Sequence, residues 1–134
     1  MIVVDSSALA AILFDEPESQ TFLKVMRNAG HVLISTATVL ETRMVTYGRY
    51  GHRGTVLFDD LLATGVFDSV APDDHTVATA FNAFVTYGKG SGHPAGLNFG
   101  DVFSYALAKT RHLPLLFKGE DFSKTDIRPA IPIP

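Results

Sequence analysis

The sequence predicts a three-layer α/β fold, a parallel sheet with helices on both faces, and three observations carry that prediction. The chain opens on a wholly apolar tripeptide, Ile2 to Val4, which stops at an acid and passes straight into a small-residue helix, as strands buried on both faces do. Short apolar runs then alternate with longer segments of helical periodicity. Of the 134 residues, 46% are apolar and 19% charged, enough for one core, and no break in composition marks a second. Residues 1–134 are therefore expected to form a single domain.

The elements follow in order. After the first strand, "DSSALAAILF" reads as a helix from about Ser7 to Phe14. "EPESQTFLKVMRNAG" starts the next, with Pro17 suited to a first turn, Phe22, Leu23, Val25 and Met26 on one face, and Gly30 past the end. "HVLIS" is the second strand, and "TATVLETRMVTYGRYG" the helix after it, closing at Gly48 or Gly51. "TVLFDDLLATG" is a further amphipathic helix, so two helices precede the third strand, "VFDSVAP", as an insertion or hairpin on one side. "DDHTVATAFNAFVTYGKG" is a helix that starts on an acidic cap and ends in glycines. After the loop "SGHPAGL" come a helix from Phe99 to Arg111 and the strand "PLLFKG". Disorder is expected only at the Pro-rich end, "RPAIPIP".

Composition excludes several functions. With no cysteine there is no disulfide, thiolate metal site or cysteine nucleophile. A net charge of −3 argues against a broad phosphate-binding surface, so any nucleic-acid contact must be local or helped by a cation. No signal-type segment opens the chain and no run of about 18 apolar residues could span a bilayer, so a cytoplasmic protein without membrane contact is expected. The five histidines show no metal-binding spacing, and the glycines of "YGKGSGHPAG" do not fit a dinucleotide cradle.

In open α/β sheets ligands collect beyond the carboxyl ends of the strands, and acids fall there. Asp5 ends the first strand, Glu41 lies in the first turns of the helix after the second, and Asp121 follows the last; Asp101 opens the helix that returns to that last strand. Topology alone lets these four carboxylates converge on one rim. Packed like charges call for a counter-cation, and an all-oxygen donor set favours Mg2+ or Mn2+ over zinc. Each acid also has a structural explanation. Thr38 and Glu41 match a capping box, and Asn98 and Asp101 a capped first turn stabilised by the helix dipole; Asp5 suits the cap of its helix, and Asp121 a turn or the cap of a short C-terminal turn.

The blocks "VVDSSALAAILFDEPE", "STATVLETRMV", "LNFGDVFSYALAK" and "PLLFKGEDFSKTDI", in this order, resemble the PIN-domain ribonucleases, specifically the VapC toxins of bacterial toxin-antitoxin pairs. The resemblance implies a PIN-like fold, with a central, mostly parallel sheet of four to five strands flanked by helices. It implies a magnesium- or manganese-dependent endoribonuclease whose acids are Asp5, Glu41, Asp101 and Asp121, with Asp5 and Asp101 the most regular metal ligands. The last block departs from the pattern of two acids: the earlier place is Gly119, the later Asp121, and Glu120 stands adjacent as a substitute. Ser6 and Ser7 match the small polar residues that follow the first Asp and would orient water or carboxylate. Also implied are a VapB-type antitoxin that inserts a basic side chain into the acidic site, a toxin homodimer and a toxin-antitoxin hetero-oligomer. Leu57, Phe58, Leu61 and Leu62 suit either such a surface or the core.

Lys118, Lys89, Arg43 and Arg49 are candidates for RNA phosphate contacts, Arg43 alternatively pairing with an acid. Two other functions compete: a receiver-like phosphoacceptor domain, whose lysine Lys118 could supply although "VVDSSA" lacks the adjacent acids it needs, and a non-catalytic module that binds a basic partner peptide.

Overall fold

The structure, a computed structural model, describes residues 1–132. Its single sheet has four strands, β1 (Ile2–Val4), β2 (Val32–Ser35), β3 (Phe67–Val70) and β4 (Leu115–Leu116), in the order β3-β2-β1-β4. Every pairing is parallel. The helices are α1 (Ser6–Leu13), α2 (Ser19–Ala29), α3 (Thr36–Tyr50), α4 (His52–Leu62), α5 (Asp74–Tyr87) and α6 (Phe99–Arg111), with a 3-10 turn at Phe122–Lys124.

Successive strand residues point to opposite faces, and the two cores sort accordingly. Ile2, Val4, Val32, Ile34 and Leu116 pack with Ala8, Leu9, Phe22, Met26 and Phe58 on one face. Val3, Leu33 and Leu115 pack with Val102, Tyr105, Ala106, Leu107 and Phe122 on the other. Three layers follow from that alternation. Phe58 is fully buried, with Leu61 and Leu62 packed against the same core, so this stretch of α4 is core rather than docking surface. Val56 of α4 is exposed, and other exposed apolar side chains include Leu40 and Met44 of α3, Phe81 and Val85 of α5, and Phe99 of α6.

Boundaries differ from expectation in physically simple ways. Pro17 sits in the turn before α2, which starts at Ser19. The cap of α3 is Ser35, whose hydroxyl accepts from the Ala37 N–H at 3.3 Å. Thr38 therefore lies inside the first turn, fully buried, and no Thr38–Glu41 capping box forms. α3 and α4 form the expected hairpin, and Gly54 lets them touch: a Cβ there would stand 2.3 Å from the Thr46 carbonyl oxygen. The Pro-rich end is partly ordered, because Leu115 donates to the Arg128 carbonyl and Ala130 donates back to Leu115, covering the open edge of β4. Its last two residues, 133–134, lie outside the described ones.

Candidate active site

From β1 the chain passes to β2 on one side, whereas β4 lies on the other, so a switch point opens beyond the carboxyl ends of β1 and β4. Asp5 stands at that point. Its N–H continues the ladder to the Leu116 carbonyl at 2.9 Å, and the side chain is 1% exposed. Oδ2 accepts from the Ser7 N–H at 3.0 Å, capping α1. Oδ1 accepts from the Ser104 hydroxyl of α6 at 2.6 Å. Ser7 also fixes the loop after β4, because its Oγ accepts from the Lys118 N–H at 3.0 Å.

Asp101 occupies the first turn of α6, where a capping box forms in full. Asn98 Oδ1 accepts from the Asp101 N–H at 2.9 Å, and Asp101 Oδ2 accepts from the Asn98 N–H at 3.0 Å. Burial pushes the Asp101 carboxyl up to about 6; the Asn98 N–H opposes that rise, while the charges of Asp5, Glu41 and Asp121 add to it. Glu41, on α3, is likewise raised, first by burial and then by Asp5, with the Ser6 hydroxyl partly offsetting both. Its Oε1 is buried without a hydrogen-bond partner. The space it uses exists because residue 100 is glycine: a Cβ there would lie 1.9 Å from Glu41 Oε2.

Asp121 starts the 3-10 turn without a capping bond and, like Glu120, is exposed. Asp5, Glu41 and Asp121 thus all lie within electrostatic reach of Asp101, Asp121 at the outer margin. Among the described residues, no three Asp, Glu or His side chains already converge as ligands of one ion. The donor chemistry nevertheless fits a hard divalent cation: an unsatisfied buried carboxylate oxygen and a desolvated carboxyl ringed by negative charge both gain from one.

Three of the four cationic candidates are engaged elsewhere, and Lys89 is exposed. Arg43 Nη1 meets Asp59 at 2.6 Å, Lys118 Nζ lies 3.0 Å from Glu16 and 3.2 Å from Glu18, and Arg49 stacks 4.2 Å above Phe14. Ser104 escaped the sequence reading, and Thr38 entered it only as a helix cap; their hydroxyls lie 3.2 Å apart behind Asp5. A polar residue in the midst of the buried run Val102, Tyr105, Ala106 was the available signal, since a buried hydroxyl must find a partner.

Comparisons with known proteins identify the family. The PIN-domain family model matches residues 2–128. Ribonuclease VapC30 of Mycobacterium tuberculosis is 48% identical over 94% of this chain and 95% of its own length. Ribonuclease VapC of Mycolicibacterium smegmatis is 44% identical over 94% of this chain and 97% of its own. Among solved structures, M. tuberculosis VapC20, described as a sarcin-ricin loop cleaving toxin, superposes with a TM-score of 0.77 at 19% identity, covering 95% of this chain and 96% of that one. DNA-bound VapBC of Salmonella typhimurium gives 0.70 at 13% identity, covering 96% of each. The chain belongs to the PIN-domain family and, within it, to the VapC ribonucleases.

Proposed function

We propose that the chain is the toxin of a VapBC-type toxin-antitoxin pair, an endoribonuclease that hydrolyses RNA phosphodiester bonds with Mg2+ or Mn2+ held by Asp5, Glu41, Asp101 and Asp121. The observation that carries the site is the uncompensated charge at the switch point, a carboxyl raised to about 6 beside a buried carboxylate oxygen with no partner. A divalent ion bound there neutralises charge at the phosphoryl group and makes water more acidic. The chain's own residues supply the rest. Asp5, tied on both oxygens, offers a fixed carboxylate; Asp101 spends one oxygen on its helix cap and keeps the other for the rim. Glu41 reaches in over Gly100, and Asp121 closes the margin from the loop after β4, where solvent reaches it.

RNA is a polyanion, and this acidic protein needs local cations to hold it. Lys118, with Ser123 and Lys124, lines a groove beside β4. Lys118 is paired there with Glu16 and Glu18, with which an RNA phosphate has to compete. The same engagement disfavours the receiver alternative, which needs that ammonium at the acid cluster. The partner is a VapB-type antitoxin with a basic side chain for the rim, within a hetero-oligomer built on a toxin homodimer. The work is cytoplasmic, where RNA is available; among the described residues no helix is long and apolar enough to cross a membrane.

The test is direct. Purified protein with Mg2+ should cleave RNA, and Asp5→Asn or Asp101→Asn should each lower cleavage by more than the roughly 100-fold that loss of a supporting partner costs. Calorimetry should show Mn2+ uptake that both substitutions remove. Activity retained in both variants would discard the site, and peptide binding without metal uptake would favour the non-catalytic module.

A further inference from the structure

Asp5 is gripped from a direction that capping does not require. The Ser7 N–H on Oδ2 is an ordinary helix cap, but the donor on Oδ1 comes from Ser104, 99 positions away on another helix. Hydroxyls on this protein's helices usually turn back to their own backbone. Thr42 donates to the Thr38 carbonyl, Thr46 to Thr42, and Thr110 to Ala106. Ser104 does not; its hydroxyl crosses to Asp5 at 2.6 Å. A serine has one hydroxyl proton, and a carboxylate can only accept, so that proton is committed to Asp5. The Thr38 hydroxyl, 3.2 Å away, must then donate into Ser104 Oγ. Ser104 and Thr38 are 0% and 1% exposed, so water cannot stand in for either partner.

We propose that Ser104 is a positioning residue for the metal-binding carboxylate of Asp5, with Thr38 seated behind it as the second member of a relay from α3 through α6 to the end of β1. With both oxygens fixed, the carboxylate plane has one orientation; without Ser104 it pivots about the Ser7 bond and presents its free lone pairs over a range of directions. Alanine would serve the helix and the surrounding apolar packing at least as well, so the hydroxyl's contribution lies in the bond it makes. The inference rests on the reading that Asp5 holds a divalent ion.

The experiment measures Mn2+ affinity of the RNA-free chain by calorimetry or electron paramagnetic resonance, beside thermal stability without metal. Ser104→Ala should weaken Mn2+ binding about 10- to 100-fold, and at saturating Mn2+ should lower kcat with the KM for RNA unchanged. Thr38→Val should weaken Mn2+ binding several-fold, and Thr38→Ser should restore wild-type affinity. A purely structural serine would change the melting temperature and leave Mn2+ affinity alone, and that result overturns the proposal. Should Ser104→Ala unfold, Ser104→Cys retains the volume with a weaker donor, and undiminished Mn2+ affinity there overturns it equally. Asp5→Asn separates the two levels. If it abolishes Mn2+ binding while Ser104→Ala stays within about twofold of wild type, positioning is wrong and the site stands. If Asp5→Asn binds Mn2+ normally, the site reading falls and this inference with it.

Discussion

The carboxylates of this protein live in two different worlds. Around the flanks, acids are matched with cations: Asp59 with Arg43, Asp126 with Lys109, Glu16 and Glu18 with Lys118. At the switch point Asp5, Glu41 and Asp101 have hydroxyls and backbone N–H groups for company and, among the described residues, no ion-pair partner. The flank pairing lowers Asp126, where the Lys109 and Tyr105 donors outweigh burial, whereas burial and like charge raise Asp101 to about 6. Pairing of the first kind serves the native state in isolation. Charge of the second kind is held against its own preference by the fold and is relieved only by something bound.

The sharpest way to break the contrast is to deny Glu41 its place. Gly100→Ala inserts a Cβ where Glu41 Oε2 now lies, at 1.9 Å. The carboxylate is the far end of a flexible side chain and will swing aside, and alanine is a better helix former than glycine, so the fold should keep its melting temperature. RNA cleavage should fall on the order of 100-fold, the usual consequence of displacing a site group by about 1 Å. Unchanged cleavage with Gly100→Ala would show that Glu41 does not work from its observed position.

A second test uses stability in place of activity. The folded Asp101 carboxyl titrates near 6 against an ordinary value of 3.8, so between those values the folded state holds a proton that the unfolded state has released. The stabilisation is complete below about pH 4 and is lost as pH rises through 6. The rise corresponds to about 3 kcal/mol, which solvent at the rim reduces to about 2 kcal/mol. In metal-free protein Asp101→Asn should therefore match wild type near pH 4 and exceed it by about 2 kcal/mol at pH 7. Asparagine can still accept from the Asn98 N–H, so the cap survives. The depressed carboxylates, such as Asp126, act with the opposite sign in both proteins and cancel in the difference. A variant no more stable than wild type at pH 7, by urea denaturation, would mean that Asp101 carries no uncompensated charge.

How much of this could be read from the chain varies with the range of the interaction. α6 was legible to the residue, because Asn98 and Asp101 signal its start within four positions and both halves of the capping box form. β1 and its terminal acid were legible for the same reason. The start of α3 at Thr36 was legible but its cap was not: Ser35, Thr36 and Thr38 all carry hydroxyls, and only the end of β2 decides that Ser35 is the cap. The cations were legible as charge but not as geometry, since Arg43 meets Asp59 across the α3–α4 hairpin and Lys118, after β4, meets Glu16 from 102 positions away. Least legible was Ser104, whose partner is 99 positions distant and whose neighbours are apolar. Local rules describe caps and periodicity; what supports Asp5 is set by where α6 crosses the sheet.

The smallest effect belongs to the flank. Arg43 and Asp59 are 2.6 Å apart, with side chains 38% and 53% exposed. At that exposure most of the Coulomb energy is screened, and a double-mutant cycle between Arg43→Ala and Asp59→Ala should give a coupling of about 0.2–1 kcal/mol that shrinks with added salt. Arg43→Ala alone should cost more than the coupling, because the guanidinium also lies 5.3 Å over the Phe58 ring. The informative quantity is the sign. Removing a flank charge destabilises slightly, whereas removing the Asp101 charge stabilises, and both measurements use the same metal-free protein at the same pH. Two results of like sign would erase the distinction between acids that hold the fold and acids that the fold holds.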